Sequence, residues 1–143
     1  MVSVETPFAR ARILVVDDDS DVRDSTCALL DAFGYEAVEA ASITGALRSV
    51  LGDPPDLIFT GIRMPDGDGY ALLRVLKEHR IDIPVIACSA GDYGMDTDPL
   101  AKALALGAVA AIEKPFFADG LQGLIVKALA SRRDKEAAAR EGG

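Results

Sequence analysis

Five times along this chain a short run of β-branched and apolar residues is followed by a longer segment of helical periodicity, and that alternation leaves few architectures open. The first run, residues 12–17 (RILVVD), has no polar interruption before its end, which predicts a strand buried on both faces. Residues 20–33 place Val22, Leu29, Leu30 and Phe33 at helical spacing, which predicts a helix capped by Ser20 and ended by Gly34. Further strands are expected at 35–40, 56–60, 83–88 and 108–113, and further helices at 42–51, 70–79, 99–106 and 118–131. Gly52-Asp53-Pro54-Pro55 breaks the chain between two of them, and 89–97 reads as a loop rich in Gly and Asp. Strict alternation of strand and helix predicts an α/β fold, a parallel sheet with helices on both faces. In such open sheets the chemistry collects at the carboxyl ends of the strands.

The 143 residues suit one domain, expected at 12–131, after an N-terminal extension (1–11) and before a charged tail (132–143) that can prolong the last helix. Half of the residues are apolar, enough for a core. The net charge of −8 argues against nucleic acid and against an anionic membrane as partners, because both select basic surfaces. A cation or a partner with a basic face fits that charge. No run of about eighteen apolar residues is present, and residues 1–8 lack a secretory pattern. A cytoplasmic location is expected. Cys27 and Cys88 sit in apolar runs without ligand spacing and read as buried thiols, with a disulfide or redox pair as the other reading.

The residues just past each strand therefore carry the functional signal. Asp17, Asp18 and Asp19 follow the first strand, Gly61 the third, Ser89 and Ala90 the fourth, and Lys114, Pro115 and Phe116 the fifth. Adjacent carboxylates repel unless a cation lies between them, and Mg²⁺ takes carboxylate oxygens, so Asp17 and Asp18 make half of a cation site. Read locally, the same aspartates are a solvated turn and helix start. A lysine at the end of a buried strand puts an ammonium beside such carboxylates, and a serine at Ser89 offers a donor to an oxyanion. Phe116 and Phe117 read as core, with one exposed contact as the alternative. His79 ends a helix, where a cationic ring is favoured.

The segments ILVVDDDSDVRD, DLIFTGIRMPDGDGY, IPVIACSAG and EKPF, in that order and spacing, resemble the receiver domain of bacterial two-component response regulators, from about residue 12 to 131. The resemblance implies a five-stranded flavodoxin-like sheet in the order 2-1-3-4-5, within three layers. It implies that Asp17 and Asp18 hold Mg²⁺, with the backbone carbonyl of Arg63 as a further ligand. Ser89 and Lys114 match the groups that contact the phosphoryl group, and Pro115 matches the proline after that lysine, a cis-type residue in the family. Met64-Pro65 and Asp68-Gly69 match the loop after the phosphorylated residue.

Two positions depart from the family. Gly61 stands where the aspartate that receives the phosphoryl group is expected, four residues before Pro65. Glycine has no nucleophile. Thr60 points to the other side of its strand, Asp56 lies at the strand's far end, and Asp66 and Asp68 lie beyond the turn, so none replaces it. Ala111 stands where an aromatic side chain reports phosphorylation, and alanine has no rotamer to report. Loss of a carboxylate leaves Mg²⁺ binding weak at most, and Lys114 is expected to pair with Asp17 or Asp18. The expectation is a non-enzymatic, stand-alone signalling module with no catalytic residue. It would act by contact with a histidine kinase or downstream regulator through helix 4, strand 5 and helix 5. Two other readings remain. One is a haloacid-dehalogenase-type phosphatase using Asp17, Asp19, Ser89 and Lys114, which lacks a later acidic pair, since only Asp119 precedes the tail. The other is a conventional receiver in which Gly61 is an artefactual substitution.

Overall fold

Alternation along each strand sends side chains to both sides of one sheet, and each side meets its own helices. The structure, a computed structural model, describes residues 10–64, 67–89, 98–114 and 116–142, with the backbone alone at 63–64, 67–68 and 133–142. The expectations for residues 1–9, Pro65, Asp66, the loop at 90–97 and Pro115 lie outside the described residues.

The elements run β1 (Arg12–Val16), α1 (Ser20–Ala32), β2 (Glu36–Ala40), α2 (Ile43–Gly52), β3 (Leu57–Gly61), α3 (Gly69–Glu78), β4 (Val85–Ser89), α4 (Pro99–Ala105), β5 (Ala110–Glu113) and α5 (Ala118–Gly142). Between β3 and α3, Arg63–Met64 and Gly67–Asp68 pair as a two-residue antiparallel ribbon that the sequence pattern did not predict. The five main strands are parallel, in the order β2-β1-β3-β4-β5, as expected. Leu14, Val16, Ile58, Val85 and Ala87 face α2, α3 and α4, where Ala46, Val50, Leu72, Leu76 and Ala103 complete one core. Ile13, Val15, Leu57, Phe59, Ile86 and Cys88 face α1 and α5, against Leu30, Leu121, Ile125 and Leu129. Nearly all of β1 and β3 is buried, which explains why their sequences are runs and not alternations.

Several boundaries differ from expectation. Asp19, not Ser20, is the N-cap of α1, its carboxylate accepting from the N–H groups of Asp21 and Val22 at 2.9 and 3.4 Å. A carboxylate competes well with a hydroxyl here because it also meets the positive end of the helix. Gly61 and Ser89, expected just past their strands, are the last residues of β3 and β4. Gly34 closes α1 as expected, with φ of 97° and a Tyr35 N–H bond to the Leu30 carbonyl oxygen at 3.1 Å.

Helix α5 continues through residues 132–142. Arg132 anchors it. The guanidinium Nη1 donates to the Asp56 carbonyl oxygen at 2.9 Å and lies 3.4 Å from Asp56 Oδ1. The other carboxylate oxygen of Asp56 accepts the Arg12 N–H at 2.8 Å, and Arg12 Nη1 pairs with Asp53 Oδ2 at 2.8 Å. This clasp lies at the amino-terminal edge of the sheet, opposite the strand ends that carry the aspartates.

Candidate functional site

Register alone gathers the functional positions. Val16 pairs with Thr60, Gly61 with Cys88, and Ser89 with Glu113. Asp17, Gly61, Ser89 and Lys114, each ending or following a strand, therefore share one edge of the sheet.

Asp17 is held at every polar atom. Its N–H donates to the Ala40 carbonyl oxygen at 3.1 Å. Oδ1 accepts the Asp19 N–H at 3.0 Å, and Oδ2 lies 3.4 Å from Lys114 Nζ. Its carbonyl oxygen accepts from Arg23 Nη1 at 2.8 Å, while Arg23 Nε faces Glu39 Oε1 at 3.4 Å. The side chains of Asp17 and Lys114 are only 13% and 29% exposed, so their attraction is less screened than at an open surface. Lys114 is delivered there by its backbone, whose N–H donates to the Ser89 carbonyl oxygen at 2.8 Å. Of the two lysine pairings expected, the one with Asp17 is realised.

Asp18 is exposed, and Asp19 is committed to capping α1. Thr60 is fully buried and its Oγ1 donates to the Gly61 carbonyl oxygen at 2.9 Å. Ser89 is buried at the end of β4. Ala111 is partly buried against the core beneath α2, α3 and α4. Phe116 packs edge-on against Phe59 with ring centroids 6.0 Å apart, whereas Phe117 is 86% exposed. The alternative of one core and one exposed phenylalanine is the one observed.

Three residues have roles at the site that the sequence reading did not assign to them. Arg23, six residues after Asp17, ties the first turn of α1 to the site, and that spacing was the available signal. Cys88 lies beside Gly61 in register, with its thiol pKa pushed up to about 11 by burial, against the pull of Lys114 and with Asp17 adding to the rise. A thiol so shifted is not a nucleophile at neutral pH. Gly69 packs directly on the backbone after β3. Its N–H donates to the Ile62 carbonyl oxygen at 2.6 Å, and a Cβ there would lie 2.5 Å from the Gly61 carbonyl oxygen.

At Gly61 a Cβ would stand 3.3 Å from Asp17 Oδ2 and 3.7 Å from the Val16 carbonyl oxygen. The Asp17 carboxylate thus lies against the space where a side chain at 61 would begin. Both oxygens of Asp17 are engaged within the protein, Gly61 supplies no ligand, and among the described residues no three His, Cys, Asp or Glu side chains are grouped to hold a metal. As arranged, these residues do not fit a divalent cation, which would first have to displace the Lys114 ammonium.

A family described as "Response regulator receiver domain" matches residues 13–126. The chain belongs to that family, whose members are signalling domains of two-component systems. It is 37% identical over 134 residues to the transcriptional regulatory protein PrrA of Mycobacterium tuberculosis, covering 94% of this chain and 56% of that protein. It is 34% identical over 108 residues to the transcriptional regulatory protein YxdJ of Bacillus subtilis, covering 76% of this chain and 45% of that protein. The chain thus spans only about half the length of these curated relatives. Among solved structures, a response regulator receiver domain protein from Clostridium thermocellum superposes with a TM-score of 0.78 at 30% identity, covering 86% of this chain and 97% of that one. NtrX from Brucella abortus, in complex with ADP, superposes with a TM-score of 0.81 at 32% identity, covering 91% of this chain and 28% of that one.

Proposed function

We propose that this chain is a receiver-like signalling module that is not phosphorylated and acts by protein contact in the cytoplasm. The observation that carries the reading is Gly61 at the end of β3, with Lys114 already turned to Asp17. A phosphoryl group transferred to a receiver needs a carboxylate nucleophile at that strand end. Asp17, the partly buried carboxylate beside it, is neutralised by an ammonium and bonded to a backbone N–H. Without an aromatic side chain at Ala111, a change at the site also lacks its usual rotameric readout.

Contact through α4, β5 and α5 is supported by the apolar surface there. Leu104, Val109 and Phe117 are exposed, and a cleft of about 180 Å³ is lined by Val109, Ala110, Leu124 and Ala128 together with Lys127 and Ser131. The acidic charge of the chain suits a partner with a basic face, either a histidine kinase or a downstream regulator, and not nucleic acid. The relatives named as transcriptional regulatory proteins are longer than this chain, and that role is not carried over to it.

The test is mass spectrometry after exposure to acetyl phosphate and Mg²⁺. The chain is expected to keep its mass, whereas Gly61→Asp is expected to gain about 80 Da, one phosphoryl group. A mass gain on the unsubstituted chain would sink the proposal.

A further inference from the structure

We propose that Lys114 is the resident cation of this site, its ammonium standing in for a divalent metal ion. The inference deepens the reading above and rests on it, since a site that takes no phosphoryl group has no need of a metal to neutralise one. The carboxyl edge of the sheet has a carboxylate fewer than a phosphorylated receiver needs, so one fixed positive charge now meets its demand. Lys114 is fixed for that purpose by its own N–H bond to the Ser89 carbonyl oxygen. Its ammonium lies 3.4 Å from Asp17 Oδ2, and both side chains are partly withdrawn from solvent, 29% and 13% exposed.

Two further contacts keep Asp17 in that pairing. The Asp19 N–H holds Oδ1, and the Arg23 guanidinium holds the Asp17 carbonyl oxygen. A magnesium ion loses its waters reluctantly and binds through carboxylate oxygens. To enter here it must expel the ammonium and offset that cost with one partly buried and one exposed carboxylate. The fold is therefore indifferent to Mg²⁺, and removing the lysine charge creates the sensitivity that the parent lacks.

The experiment is calorimetric titration and thermal unfolding of the full chain, of Lys114→Gln and of Lys114→Arg, with and without Mg²⁺ at matched ionic strength. The parent and Lys114→Arg are expected to bind no Mg²⁺ up to about 10 mM and to keep their melting temperatures. Lys114→Gln is expected to bind with a dissociation constant of about 1 mM and to gain about 4 °C at ~10 mM Mg²⁺. Mg²⁺ binding by the parent overturns the assignment, as does a Lys114→Gln variant that folds and stays indifferent. Mg²⁺ binding by the parent overturns the assignment even if Lys114→Gln does not fold. Parent Mg²⁺ binding without a mass gain from acetyl phosphate overturns this inference alone, whereas a mass gain overturns the functional reading.

Discussion

Gly61 and Gly69 lie eight residues apart and answer different constraints. Neither has a left-handed backbone, so conformational freedom explains neither. At Gly61 the one tight contact of a Cβ is the end of a side chain, Asp17 Oδ2 at 3.3 Å, which can yield by a few tenths of an ångström, and the Val16 carbonyl oxygen at 3.7 Å is an ordinary contact. At Gly69 a Cβ meets backbone, the Gly61 carbonyl oxygen and the Ile62 Cα, which cannot yield without shifting α3. Gly61→Ala is therefore expected to change unfolding free energy by less than about 1 kcal/mol. Gly69→Ala is expected to lose about 2–3 kcal/mol, read from the urea midpoint at constant slope. The missing carboxylate at 61 was legible in the sequence because Pro65 and the strand DLIFT fix its position. The need for glycine at 69 was not legible, because it arises from the approach of α3 to a backbone that no local pattern describes.

At the level of elements, the strands and helices were readable because their apolar periods differ, but their ends were set by competition among neighbours. Asp19 and Ser20 are both good caps, and local sequence alone does not rank them. The fold does, by turning the chain at Asp17 so that Asp19 precedes the first helical residue. Asp19→Ala is expected to cost about 1 kcal/mol in chemical denaturation, and Ser20→Ala to cost nothing or to stabilise by a few tenths, since Ala is the better helix former. Equal losses would mean that the cap is shared. The reach of α5 past residue 131 was foreseen only as a possible prolongation, because Ala, Glu, Lys and Arg favour helix anywhere. What fixes its course is Arg132 meeting Asp56, a pair 76 residues apart in sequence and invisible to periodicity.

Across the whole molecule, β3 joins two polar clusters. Its amino-terminal side adjoins Asp56, clasped by Arg12 and Arg132, and its carboxyl end is Gly61, beside Asp17 and Lys114. Five residues of extended chain separate the clusters by roughly 16 Å. In a receiver that switches, the site and the helices around the sheet must share two alternative arrangements, so disturbing one should be felt at the other. In a chain whose site is closed by its own lysine, the clusters should behave as independent supports. Arg132→Ala is expected to cost about 1 kcal/mol, since the pair is only half-exposed and also bonds a backbone carbonyl. Combined with Lys114→Gln, its loss should add to within about 0.5 kcal/mol, as it does for sites without shared partners. The check is a double-mutant cycle in urea without Mg²⁺. Additivity fits a sheet that holds one arrangement, whereas a coupling above about 1 kcal/mol would show that β3 still transmits between its ends. Such coupling would mean that a receiver's two-state mechanics survive here, waiting on an input other than phosphate.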